Sequence, residues 1–151
     1  MRIILIPTIK NPYPLQIEYS IDRKLYKLIN DLFNFPDILL PETIKPNKKI
    51  DLVIITGGNS LSSIELNKEN IERDRISNKY INFALEKGVP IIGICYGAQL
   101  IANRFNSKLV KVKNHLRSHE IFFNEKIKLK YLKKSIIVNS FHNYAIKSIS
   151  T

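Results

Sequence analysis

Pro90-Ile91-Ile92-Gly93-Ile94-Cys95-Tyr96-Gly97-Ala98-Gln99 is a short apolar run that ends in Gly-x-Cys-x-Gly and passes into a helix-forming segment. The pattern predicts a strand, a sharp turn and a helix, with the cysteine at the turn. The two glycines have a steric reason: side chains on either flank of so tight a turn would collide with the neighbouring strand. Such an elbow carries the sulfur past the carboxyl end of the strand. It also sets the thiol at a helix N-terminus, where backbone N–H groups and the helix dipole favour the thiolate. A plainer reading is a buried core cysteine, the usual fate of an isolated one. The glycines and the strand–turn–helix context favour a nucleophile at Cys95.

Working outward, the neighbouring segments alternate between strand and helix. Arg2–Pro7 is nearly all apolar and reads as a strand buried on both faces. Residues 11–18 contain two prolines and read as a loop. Asp22–Phe33 fits an amphipathic helix with Leu25, Leu28, Ile29, Leu32 and Phe33 on one face, and Asp22 suits its N-cap. Pro36–Leu40 and Asp51–Thr56 read as strands, the latter running into Gly57-Gly58-Asn59-Ser60. Glu69–Glu86 is helical, with Ile76, Tyr80, Phe83 and Ala84 inward, and Gly88 ends it. Tyr96–Asn103 is the helix behind the elbow. Short strands follow at Leu109–Val112, Glu120–Phe123 and Ser135–Asn139. The alternation predicts an α/β fold, a parallel sheet covered on both faces with its site beyond the strands' carboxyl ends.

Length and composition narrow the function. The 151 residues are expected to form one domain, residues 1–151, and 44% hydrophobic residues suffice for a core. Met1-Arg2 runs directly into a strand, so no signal peptide is read, and no apolar run has the length of a membrane span. One cysteine excludes an internal disulfide, and no Cys/His cluster points to zinc, so neither a metal nor another cofactor is expected. A free catalytic thiol suits a reducing cytoplasm. The net charge of +11 is uneven: residues 104–151 hold eleven Lys/Arg against two Asp/Glu. That excess is a basic surface for an anionic partner or substrate such as a nucleotide, a result of Ile/Lys/Asn-rich composition, or a sign that a more acidic part is missing. Basic residues are not interleaved with aromatics, so nucleic acid is not expected as a partner.

A thiolate attacking a carbonyl needs two N–H donors for the oxyanion. Tyr96, next after the nucleophile, supplies one, and the Gly57-Gly58-Asn59 loop is the candidate for the other. A base is also needed. The histidines are His115, His119 and His142. His142 follows an apolar strand and lies just past its end. His115 and His119 flank Arg117 in a basic segment. Their spacing would put them on one face of a helix, but a pair without a third ligand does not make a metal site. After Cys95 the acids are Glu120 and Glu125, and none follows His142 to orient it.

Gly93-Ile94-Cys95-Tyr96-Gly97-Ala98-Gln99 resembles the elbow of the class I glutamine amidotransferases. The chain is more closely similar to their relatives, the γ-glutamyl hydrolases (peptidase C26), which include γ-glutamyl-γ-aminobutyrate hydrolase. Ile55-Thr56-Gly57-Gly58-Asn59-Ser60-Leu61 resembles the family's oxyanion loop. Glu72-Arg73-Asp74 resembles the Arg-Asp that opens the helix before the nucleophile strand. Gln99 matches a glutamine near the γ-glutamyl group, and Val138-Asn139-Ser140-Phe141-His142 resembles a Val-Asn-Ser-x-His segment. His115 and His119 fall where the family has histidines after the elbow. The resemblance implies a flavodoxin-like, doubly wound, mostly parallel sheet. It implies Cys95 as catalytic residue, Gly58 and Tyr96 as the oxyanion hole, and Gly57, Asn59, Gln99, His119 and His142 as substrate-binding residues. The implied activity is hydrolysis of a small-molecule γ-glutamyl amide with release of glutamate. Within the family, the N-terminal region and the glycine loop look most like members acting on a γ-glutamyl nucleotide amidate.

The family draws its catalytic histidine and acid from a His-Pro-Glu motif beyond the Val-Asn-Ser-x-His segment, and this sequence contains none. The resemblance therefore implies a C-terminally incomplete fold in which His142 lines the site. A fragment or split gene, an inactive binding form, and takeover of the base role by His142 are the explanations, in that order.

Overall fold

Ile3, Ile4, Leu5 and Ile6 are wholly or almost wholly buried, as in a strand whose sheet is covered on both faces. The computed structural model describes residues 1–14, 16–42, 49–113, 117–123 and 135–148. Along them run β1 (Arg2–Ile6), β2 (Thr8–Lys10), β3 (Glu18–Ser20), α1 (Arg23–Phe33), β4 (Asp37–Leu39), β5 (Leu52–Ile55) and α2 (Lys68–Lys87). There follow β6 (Ile91–Gly93), α3 (Tyr96–Arg104), β7 (Leu109–Lys111), β8 (His119–Phe122), β9 (Ser135–Val138) and β10 (Tyr144–Ile146).

The central sheet has the order β4-β1-β5-β6, and every pairing in it is parallel. This is the parallel sheet that the alternation predicts, in the doubly wound, flavodoxin-like form that the resemblance implies. The chain winds from β1 outward to β4, then crosses to β5 and on to β6. Its direction of winding reverses between β1 and β5, and a crevice opens there at the carboxyl ends.

Strand alternation splits the core in two. Ile3, Leu5, Leu52 and Ile54 face α1 and pack on Ile29, with Leu25 and Phe33 at its margins. Ile4, Ile6, Val53 and Ile55 face α2 and α3 and pack with Ile76, Tyr80, Ile81, Ala84, Tyr96 and Leu100. The Asp22 side chain caps α1 by accepting from the Leu25 N–H at 2.9 Å. Its expected apolar face is only partly used: Leu28 and Leu32 are 51% and 67% exposed. Leu25, Ile29 and Phe33 form the ridge that meets the sheet, whereas Leu28 and Leu32 lie about 100° and 60° round the axis from Ile29, at its centre. Asn67 caps α2 by accepting from the Asn70 N–H, and Gly88 ends it at φ 63°.

Three strands have no counterpart in the sequence reading, β2 among them. Residues 11–18 were expected as loop throughout, yet Glu18 opens β3, which pairs antiparallel with β2 through Ile9 and Tyr19. β10 pairs antiparallel with β7 and has no counterpart in the expected strands. Each of these strands has three residues, too few to show a period. β8 and β9 form another antiparallel pair. His119 opens β8, so it stands in a strand and not on a helix face, and His115 lies outside the described residues, as does Glu125.

The burial difference is measurable. Ile54→Ala should cost about 2–5 kcal/mol, and Asp22→Ala about 1 kcal/mol through loss of the cap. Urea unfolding reads both as midpoint shifts, and equal shifts would contradict this account of the core.

Candidate active site

The tight turn expected at Cys95 is present. Cys95 has φ 53° and ψ −104° and sits at the N-cap of α3, with its side chain exposed. A positive φ in a non-glycine residue costs about 1–3 kcal/mol and persists only where the surroundings enforce it. They do so by close packing. A Cβ on Gly93 would lie 2.5 Å from the Gly97 carbonyl carbon, and one on Gly97 would lie 2.3 Å from the Ile55 carbonyl oxygen. Both glycines are therefore needed to seat the elbow against its own helix and against β5. Tyr96 is the first residue of α3, so its N–H is among those without a partner in the helix.

The glycine loop after β5 comes up beside the elbow. A Cβ built on Gly57 would lie 3.2 Å from the Cys95 Cβ and 3.8 Å from its Sγ. Gly58 has φ 120°, and a Cβ there would be 2.1 Å from the Thr8 Oγ1. The Gly57 carbonyl accepts from Thr8 Oγ1 at 2.8 Å and from Arg73 Nη1 at 2.9 Å. In a trans peptide the C=O and the following N–H point opposite ways, so the Gly58 N–H points away from Thr8 and Arg73.

Arg73 is fully buried. Nη2 donates to the Thr56 carbonyl at 2.7 Å and to Thr56 Oγ1 at 3.0 Å, and Nη1 donates also to Asn59 Oδ1 at 2.8 Å. Its guanidinium lies 4.3 Å from the centre of the Tyr96 ring, a cation–π contact. Burial pulls its pKa down to about 10, against the pull of Tyr96, Asp74 and Cys95 in the other direction, so it is charged at neutral pH. The next residue, Asp74, accepts from the Ser62 N–H and hydroxyl at 2.9 and 2.6 Å and from the Tyr96 hydroxyl at 2.7 Å. Burial, with the Asp74 carboxylate beside it, raises the Tyr96 phenol.

A cavity of about 310 Å³ opens over the elbow, lined among others by Gly58, Asn59, Cys95, Gln99, His142 and Tyr144. Six of the eight residues singled out from the sequence meet at it, counting Gly57 against the Cys95 sulfur. Tyr96 lies beneath, its side chain buried. His119 is on β8, paired with Val138, and is not among the lining residues. A second cavity of about 300 Å³, between Ile9, Ile17 and Glu72, holds none of them.

Three side chains in the cleft are already engaged. Asn59 Oδ1 accepts from the Ile9 N–H at 2.9 Å, and Nδ2 donates to the Ile9 carbonyl at 3.0 Å, so this amide ties the loop to β2. Gln99 Nε2 donates to the Tyr144 carbonyl at 2.8 Å. His142 Nδ1 lies 2.8 Å from the same carbonyl and Nε2 lies 3.1 Å from Ser140 Oγ. A carbonyl only accepts, so Nδ1 carries a proton and donates to it. Sequence reasoning did not single out Thr8, Ser140 or Tyr144. For the burial of Arg73 there was a signal: it stands three residues before Ile76 on the face shared with Tyr80 and Ala84.

Comparison with known proteins bears on the family and the fold. The family model for glutamine amidotransferase class-I matches residues 13–151. The chain is 36% identical over 140 residues to the gamma-glutamyl-CDP-amidate hydrolase of Campylobacter jejuni, a match that covers 93% of this chain and 56% of that protein. The chain thus spans little more than half the length of this relative. A glutamine amidotransferase from Thermotoga maritima superposes with a TM-score of 0.67 at 17% identity, over 98% of this chain and 63% of the other. A candidate GMP synthase subunit from Thermoplasma acidophilum gives 0.66 at 21%, over 99% and 68%. At these identities the two structures speak for the fold, and the family match over residues 13–151 speaks for descent. The chain belongs to the class I glutamine amidotransferase family.

Proposed function

We propose that these residues are the nucleophile-bearing part of a single glutamine amidotransferase-like domain that hydrolyses a γ-glutamyl amide. The observation that carries the reading is Cys95 held at φ 53° on the end of α3 with its sulfur exposed, beside a glycine loop whose carbonyl is turned away. The Cys95 thiolate attacks the γ-carbonyl carbon of the substrate. The N–H groups of Gly58 and Tyr96 hold the oxyanion of the tetrahedral intermediate. The carbon–nitrogen bond breaks, and the amine leaves once it is protonated. The γ-glutamyl thioester on Cys95 is then attacked by water. Its carbon–sulfur bond breaks, and glutamate and the free thiol result. The name of the Campylobacter relative and the basic excess of residues 104–151 together favour a γ-glutamyl nucleotide amidate as the substrate. A free thiolate at work suits a reducing cytoplasm.

The base belongs elsewhere than His142. Nδ1 of that ring is committed to the Tyr144 carbonyl and Nε2 to the Ser140 hydroxyl. By the resemblance, the base and its orienting acid come from a His-Pro-Glu segment that these 151 residues do not contain. The same engagement of His142 favours a second reading, a protein that binds or is acylated by γ-glutamyl compounds without turnover.

Cys95→Ala should abolish glutamate release from the γ-glutamyl amide, read by a coupled glutamate assay on a protein that carries the His-Pro-Glu segment. Undiminished release would sink the mechanism. In the same protein, His142→Ala should raise KM and leave kcat nearly unchanged, as loss of a group that only lines the site does, read by the same assay. A loss of glutamate release as complete as in Cys95→Ala would make His142 the base.

A further inference from the structure

The two oxyanion donors of the proposed function sit on different loops, one after β5 and one after β6. What fixes their separation is a pair of consecutive residues on α2. Arg73 holds the first loop through the Thr56 and Gly57 carbonyls and lies against the ring of Tyr96 in the second. Asp74 holds Ser62 just past the first loop and the Tyr96 hydroxyl in the second. We propose that Arg73 is a positioning residue for the oxyanion hole, holding the Gly57–Gly58 peptide with its N–H toward the cleft. The proposal rests on the γ-glutamyl reading of the site.

The reason lies in the two glycines. A peptide between glycines is the least restricted in the chain and rotates most readily. Turned the other way, it would present the Gly57 carbonyl to the cleft, where a developing oxyanion would be repelled. Buried donors on the far side oppose that rotation, because a flipped carbonyl leaves them unpaired out of water. The Arg73 guanidinium is fully buried and already has an unpartnered Nε, so it has no solvent to fall back on. Thr8 supplies the second donor to the same carbonyl. The guanidinium's hydrogen bonds go to carbonyl, hydroxyl and amide oxygens. Its charge is therefore not cancelled by a bonded carboxylate, and it lies behind a site where negative charge develops.

The test compares two reactions of the same sulfur in the 151-residue chain. Iodoacetamide alkylates a thiolate without passing through an oxyanion. A γ-glutamyl thiophenyl ester acylates it through one: the Cys95 sulfur bonds to the γ-carbon and thiophenolate leaves, needing no proton and so no base. Rates are taken at a pH where the iodoacetamide profile of each variant has reached its plateau. Arg73→Gln should slow acylation about 100-fold, as loss of one oxyanion donor does, with plateau alkylation little changed. Arg73→Lys should fall between it and the parent chain. Parallel losses in both reactions, or no loss in either, would overturn the positioning role. Thr8→Val keeps shape and removes only the hydroxyl donor, so it decides the matter if thermal unfolding shows the Arg73 variants unfolded. It should slow acylation alone, and unchanged acylation would again overturn the proposal. A parent chain acylated no faster than a cysteine peptide would instead bring down the γ-glutamyl reading, and this one with it.

Discussion

A buried guanidinium bound to backbone carbonyls is the constraint around which this molecule is arranged. Taking Arg73 out of water is costly, and a buried charge is tolerated only where hydrogen bonds replace its solvation. Here the replacement comes from the carbonyls of Thr56 and Gly57, the Thr56 hydroxyl, Asn59 and the face of Tyr96. Those groups belong to the ends of two parallel strands. Seating the cation therefore requires α2, the glycine loop and the elbow to be in place at once, and the three share one fate in any local opening.

Topology supplies the places where these groups meet. The reversal of winding between β1 and β5 leaves a crevice, and three strands of the central sheet run the chain into it. Thr8 arrives just after β1, Gly57 and Gly58 after β5, and Cys95 after β6. Parallel strands deliver all three to the same edge, so residues far apart in sequence become neighbours without any long loop. The face that carries α1 contributes none of them. It supplies packing, through Ile29 on Ile3, Leu5, Leu52 and Ile54, and so fixes the sheet from which the loops emerge.

The parts of this design that rest on periodicity and on the steric demands of glycine could be read from residue order. The apolar runs gave the four central strands, the spacing of Leu25, Ile29 and Phe33 gave α1, and Gly93 and Gly97 gave the elbow. The resemblance assembled most of the cleft as well. Three-residue strands such as β2, β3 and β10 show no period and escaped notice. The state of the polar side chains was hidden for a different reason. Asn59, Gln99 and His142 stand at the cleft as expected, but their hydrogen bonds go to Ile9 and Tyr144, partners set by strand pairings far away in sequence. Arg73 stood out only through the resemblance of Glu72-Arg73-Asp74, and the folded loops show what such a charge could do there.

Cys95 carries a consequence of another kind. Its positive φ is held by contacts of Gly93 with Gly97 and of Gly97 with Ile55, and a strained residue returns to an ordinary conformation as soon as such contacts slacken. The elbow is thus a loaded spring inside an otherwise relaxed sheet. Should those contacts slacken, the sulfur would leave its orientation together with the glycine loop and α2, which Arg73 ties to the elbow, and a scan that follows only strand content does not read that orientation.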